Sequence, residues 1–135
     1  MQLPHGATVA IVDGEQFVLM RNQGDERQID LRPLDRPEVD DSNRSQGQKR
    51  SSISGAENDV KELAEAGHAA GAADWLNHQV LTHKIEALVV IADPRSLGEM
   101  RRHYHKELQA RLLGEIAKTL TSADTAAIEK AIAAA

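Results

Sequence analysis

Apolar and polar positions fall into blocks along this chain, and the period changes from block to block. Ala7-Thr8-Val9-Ala10-Ile11-Val12 is β-rich and almost wholly apolar, the pattern of a strand buried on both faces. Asp13-Gly14 is a hairpin signal, since both residues tolerate the positive φ of a tight turn. Phe17-Val18-Leu19-Met20 reads as the return strand, and Asn22-Gln23-Gly24-Asp25 as the next turn. A third strand is expected over about 28–34, with Ile29, Leu31 and Leu34 as its candidate core-side residues. Pro33 and Pro37 confine it to an edge. The opening is therefore a three-stranded meander.

A polar stretch, 40–54, follows, with Ile53 as its only apolar side chain. Burial there cannot offset the entropy of ordering, so a mobile loop is expected. Ser54-Gly55-Ala56-Glu57 fits a capping box. The helix it opens carries Val60, Leu63 and Ala64 on one face, then meets Gly67 and Gly71, each costing about 1 kcal/mol relative to alanine. A bend or break is expected there, with helix resuming through Ala72-Ala73-Asp74-Trp75-Leu76 to Leu81. Ala87-Leu88-Val89-Val90-Ile91-Ala92 is the clearest strand, central and covered on both sides.

Asp93-Pro94 ends that strand, and Ser96-Leu97-Gly98-Glu99 fits a second capping box. Leu97, Met100, Tyr104, Leu108, Leu112, Ile116 and Leu120 recur three or four apart, which predicts one amphipathic helix through 95–118. A last helix runs from Asp124 to about Ala134 with Ile128 and Ile132 inward. The expected architecture is one α/β domain over 1–135: a mixed sheet built from a β-meander, a helix, a central strand and two C-terminal helices.

Composition adds bounds. A chain of 135 residues buries a single core. Phe17, Trp75 and Tyr104 are its only aromatics, so the core is aliphatic. With no cysteine, disulfides, thiolate catalysis and Cys-ligated zinc are excluded, and a reducing compartment is expected. The opening lacks the pattern of a secretory signal, and no apolar run approaches the roughly 20 residues of a membrane span. A cytoplasmic location without membrane insertion is expected.

The net charge is −5, which argues against coating nucleic acid through charge alone. The distribution is uneven: from Arg95 to Lys118 six Lys/Arg meet three Glu, so that segment is +3 and the rest −8. A docking face for phosphate and a solvated face are both open readings. Arg95, Arg101, Arg102, His103, His105 and Lys106 are its candidate contacts. In the polar loop the candidates are Arg44, Gln46, Gly47, Gln48, Lys49 and Arg50. Glutamine does not titrate, so it orients a water or a carbonyl rather than acting as a base, and glycine beside it permits close backbone approach.

Other chemistry finds little support. Asp13 and Asp93 both sit at strand ends, where paired carboxylates hold Mg²⁺ in phosphodiester enzymes, but a turn and an Asp-Pro break already explain them. His103 and His105, two apart on a helix, diverge too far to share an ion, and His78 and His83 are also poorly spaced. No G-x-S-x-G elbow, P-loop or G-x-G-x-x-G is present. No metal, no cofactor and no catalytic residue are expected, with Gln48 the one weak candidate.

Several blocks carry a family resemblance. These are Leu3-Pro4-His5-Gly6, Val12-Asp13-Gly14-Glu15, Arg21-Asn22, Ala72-Ala73-Asp74-Trp75-Leu76-Asn77, and above all the run from Ala87 to Lys106. Across nearly its whole length the chain resembles the bacterial "required for attachment to host cells" proteins, the host attachment family. That family is similar to the middle domain of the archaeo-eukaryotic class 1 release factor and of Pelota. The resemblance implies a ribonuclease-H-like mixed sheet. It also aligns the 40–54 loop with the Gly-Gly-Gln tip that enters the peptidyl-transferase centre. Here the tip reads Gln46-Gly47-Gln48; the first glycine is absent, which points to contact rather than hydrolysis.

Three readings follow. The first is a non-catalytic accessory factor bound to ribosome or tRNA, gripping RNA phosphates through 44–50 and the basic 95–118 helix. The second is a protein-interaction factor that affects surface or host-cell attachment without RNA. The third is a hydrolase of peptidyl-tRNA or another ester that uses Gln48 to place water.

Overall fold

The computed structural model describes residues 1–39 and 57–135. Five strands form one mixed sheet: β1 (Thr8–Val12), β2 (Phe17–Asn22), β3 (Leu31–Pro33), β4 (Leu88–Ala92) and β5 (Leu112–Ala117). Their order across the sheet is β3-β2-β1-β4-β5. β1, β2 and β3 pair antiparallel as the expected meander, while β4 lies parallel to both β1 and β5. Four helices complete the described chain: α1 (Glu57–Leu81), α2 (Pro94–Arg101), α3 (Lys106–Arg111) and α4 (Thr125–Ala134). The result is the α/β, ribonuclease-H-like arrangement that the resemblance implies.

Every residue of β1 and β4 is buried because their two faces meet different layers. Ala10, Val12, Val90 and Ala92 pack towards α1, α2 and α3; Val9, Ile11, Val89 and Ile91 pack towards α4. Ile128 and Ile132 of α4 are fully covered on that second face, each stabilising by about 1.5–3 kcal/mol. Glu129 fixes α4 against the sheet edge, accepting the Leu31 N–H at 2.8 Å.

α1 passes unbroken through Gly67 and Gly71, contrary to the expected bend. Residues 67–73 are all buried, and the contacts made by the small side chains of Ala69, Ala72 and Ala73 against the sheet outweigh the glycine cost. The turn after β1 also differs in its chemistry. It spans Asp13 to Gln16, with the Asp13 N–H donating to the Gln16 carbonyl at 3.0 Å. Among the described residues positive φ occurs only at Gly6 and His83, so Asp13-Gly14 does not turn by left-handed geometry.

The largest departure is the expected 95–118 helix. α2 ends at Arg101, the chain breaks over 102–105, α3 gives one short stretch, and 112–117 is β5. β4 explains the strand: a fully buried central strand must satisfy its backbone on both sides, and β5 supplies the second ladder, with a bulge opposite Leu88/Val89. The break is held by Asn77, whose Nδ2 donates to the His103 carbonyl at 2.7 Å and whose Oδ1 accepts the His105 N–H at 2.9 Å. The cap of α2 is Asp93, accepting the Ser96 N–H at 3.2 Å, with Pro94 in the first turn; the expected Ser96–Glu99 box is not the cap.

Among the described residues no helix is long and apolar enough to cross a membrane.

Candidate functional site

Val12 pairs with Ala92, so the residues that follow β1 and β4 share one edge of the sheet. Both carboxylates there are committed to the backbone. Asp13 Oδ1 accepts the N–H groups of Glu15 at 2.7 Å and Gln16 at 2.6 Å, and its Oδ2 accepts the Thr121 hydroxyl at 2.5 Å. Burial works against the charged form, but the Thr121 hydroxyl, the two N–H groups and the nearby His68 outweigh it and hold the Asp13 carboxyl below its ordinary value. Asp93 spends Oδ2 on the cap of α2, and its buried Oδ1 has no donor among the described residues. No three His, Asp or Glu among the described residues are grouped to hold a metal.

α1 comes very close to this edge. A Cβ on Gly14 would stand 2.5 Å from Glu65 Cγ, so the glycine leaves room for the Glu65 side chain. About one turn of helix nearer its start, Arg95 Nη1 lies 3.6 Å from Glu62. His68 is buried, with Nε2 lacking a partner among the described residues. It lines a hollow of about 230 Å³ with Gln16, Arg36 and Val39. Val39 and Glu57, the described residues flanking 40–56, therefore both lie at the carboxyl end of the parallel strands. The candidates Arg44, Gln46, Gly47, Gln48, Lys49 and Arg50, and the Ser54–Glu57 capping box, fall outside the described residues or their side chains.

The second candidate set lies on α2, the break and α3 rather than on one helix. Arg101 Nη2 is 3.1 Å from Glu115 of β5, and Arg102 Nη1 and His103 Nε2 are 3.4 and 3.3 Å from Glu99. His105 caps α3, its Nδ1 accepting the Glu107 N–H at 3.0 Å, which requires that nitrogen to be unprotonated. Lys106 is exposed and has no ion pair among the described residues. Glu115 also accepts the Tyr104 hydroxyl at 3.3 Å. Burial first, then the Glu115 charge and that hydrogen bond, push the Tyr104 phenol well above its usual range.

Thus Arg101, Arg102 and His103 gather around two carboxylates, Arg95 stands at the far end of α2, and His105 and Lys106 cap and open α3. The guanidiniums are exposed, and solvent screens such surface pairs strongly. Sequence reasoning missed His68, Asn77 and Thr121. A polar Asn77 beside the buried Leu76 was the one available signal; nothing near Thr121 announces its reach to Asp13.

No curated protein matches the chain. A family model does, over residues 6–132, from the residue that leads into β1 to the last turn of α4. With the sheet, α1 to α3, most of α4 and the 40–56 segment inside that match, the chain belongs to bacterial archaeo-eukaryotic release factor family 12.

Proposed function

We propose that the chain is a non-catalytic accessory factor of translation that grips ribosomal or transfer RNA phosphates through 44–50 and the exposed cations of α2 and α3. Membership in a release-factor family suggests a translation-related role. The observation that carries the finer reading is the placement of Val39 and Glu57 at one end of the sheet. They flank a segment bearing Arg44, Lys49 and Arg50 around Gln46-Gly47-Gln48. Arg95, Arg101, Arg102 and Lys106 add four exposed cations on α2, its C-terminal cap and α3.

Co-sedimentation with ribosomes at low salt tests it. The wild-type chain pellets with ribosomes, and the triple variant Arg101→Glu, Arg102→Glu, Lys106→Glu stays in the supernatant. Binding weakens as salt rises, since each phosphate contact releases counterions. A wild-type chain that never pellets at low salt, or a triple variant that pellets equally, sinks the reading. Peptide release from peptidyl-tRNA that is lost in Gln48→Ala would overturn its non-catalytic part.

A further inference from the structure

At the opposite end of the sheet the amino ends of β1 and β4 border a hollow of about 690 Å³. His5, Arg21, His83, Lys84 and Arg111 line it, against a single carboxylate, Glu86. On a protein of net charge −5 this is a concentrated positive basin. Arg21, Lys84 and Arg111 form no ion pair among the described residues. The Nε of Arg21 is buried and has no acceptor among them, so no protein carboxylate neutralises this guanidinium beside the hollow.

His83 adds an independent sign. It ends α1 with φ 62°, its N–H donating to the Val80 carbonyl at 3.0 Å and the Lys84 N–H to that of Gln79 at 2.9 Å. This helix ending places a left-handed residue where glycine is the least strained choice. An imidazole kept there at a conformational cost, on the wall of a cationic hollow, points to use by a ligand.

A second hollow of about 330 Å³ shares Arg21 and Lys84 with the first and is otherwise lined mainly by Leu19, Leu34, Trp75 and Ile85. Trp75 is held edge-on to Phe17, with ring centroids 5.5 Å apart. A bare anion would use only the charged part, and an apolar ligand would leave the cations unanswered. A phosphate joined to a flat ring system satisfies both.

We propose that the two hollows together bind a nucleotide, its phosphate on Arg21, Lys84, Arg111 and His83, its base in the Trp75 hollow. The nucleotide is either free or the end of an RNA strand; the second case rests on the RNA reading above, the first does not.

Trp75 is the only tryptophan, so its fluorescence reads the site directly in the whole chain. AMP, adenosine, inorganic phosphate and a short 5′-phosphorylated RNA are titrated separately. AMP gives a saturable change and binds at least about tenfold more tightly than adenosine or phosphate, the equivalent of one well-made charged contact. The double variant Lys84→Glu, Arg111→Glu, at exposed positions, keeps its melting temperature and loses about tenfold or more in affinity. His83→Gly raises the melting temperature while weakening AMP severalfold, opposite signs that a purely structural His83 does not give. Tighter binding of the RNA than of AMP assigns the strand end; equal binding assigns the free nucleotide. Absence of a saturable change with either ligand up to about 10 mM, or equal binding by the double variant, overturns the proposal. Ribosome co-sedimentation of the double variant is scored separately: retention with loss of AMP binding leaves the accessory-factor reading standing, whereas loss of wild-type co-sedimentation leaves AMP binding untouched.

Discussion

Asn77 and His105 hold each other across the break between α2 and α3: the carboxamide oxygen accepts the His105 N–H at 2.9 Å while its nitrogen donates to the His103 carbonyl at 2.7 Å. One side chain on α1 thus satisfies two backbone groups that the interrupted helix leaves open. Asn77→Ala removes both bonds and is expected to cost about 2 kcal/mol. Asn77→Asp keeps the acceptor but sets a carboxylate oxygen against the His103 carbonyl where Nδ2 donated at 2.7 Å, so it recovers little or none of that loss. Urea unfolding of the three chains checks the order.

The same contact shows what the sequence could and could not carry. β1 and β4 were legible because burial on both faces writes a continuous apolar run, and α4 because Asp124 and the Ile128–Ile132 spacing mark its start and its inward side. The 95–118 stretch was misread because Leu108, Leu112 and Ile116 keep a helical spacing by accident of layer. Leu108 and Leu112 lie on the α1 side of the sheet, while Ile116 lies on the α4 side. What decides between helix and strand there is the open edge of β4, a long-range demand invisible in any local window. For the candidate site, the types of the basic residues were readable but their partners were not, since Glu99 and Glu115 come from different elements.

Gly14 is predicted to accept a side chain only at the cost of turning the half-buried Glu65 side chain away. Gly14→Ala forces a Cβ to within 2.5 Å of Glu65 Cγ, with an expected loss of about 1–3 kcal/mol. Glu65→Ala in the same chain removes the obstacle, so the double variant recovers most of the loss. A thermodynamic cycle over the four chains should show that coupling; simple additivity would refute the close-approach account.

Asp13 makes stability fall in acid. Its folded carboxyl titrates below the ordinary 3.8, so its contribution is present above that pH and disappears as pH drops through the folded value. Asn at this position accepts the same turn hydrogen bonds without titrating. The difference in urea midpoint between pH 5 and pH 3 should therefore be smaller in Asp13→Asn than in the wild type, and smaller also in Thr121→Val, which removes one of the groups holding the charge.

Tyr104 acts in the opposite direction. Its folded phenol lies above the ordinary 10.0, so stability is intact below that pH and declines as pH rises past it. As the only tyrosine in the chain, it can be titrated by its ultraviolet absorbance. Ionisation should lag behind that of the unfolded chain, and Glu115→Gln, by removing the adjacent negative charge, should bring it back towards the ordinary value.

The unbroken course of α1 sets a length. Its 25 residues extend about 37 Å at 1.5 Å per residue, with Arg95 beside Glu62 near its start and the Lys84 hollow just past its end, so those two sites lie far apart. A mononucleotide can occupy one of them and no more; a folded RNA stem can bridge both. Substitutions placed so far apart are expected to add in free energy when the ligands are separate. A departure from additivity between Lys84→Glu at one end and Arg95→Glu at the other would therefore measure, without any further structure, whether a single RNA spans the molecule from tip to base.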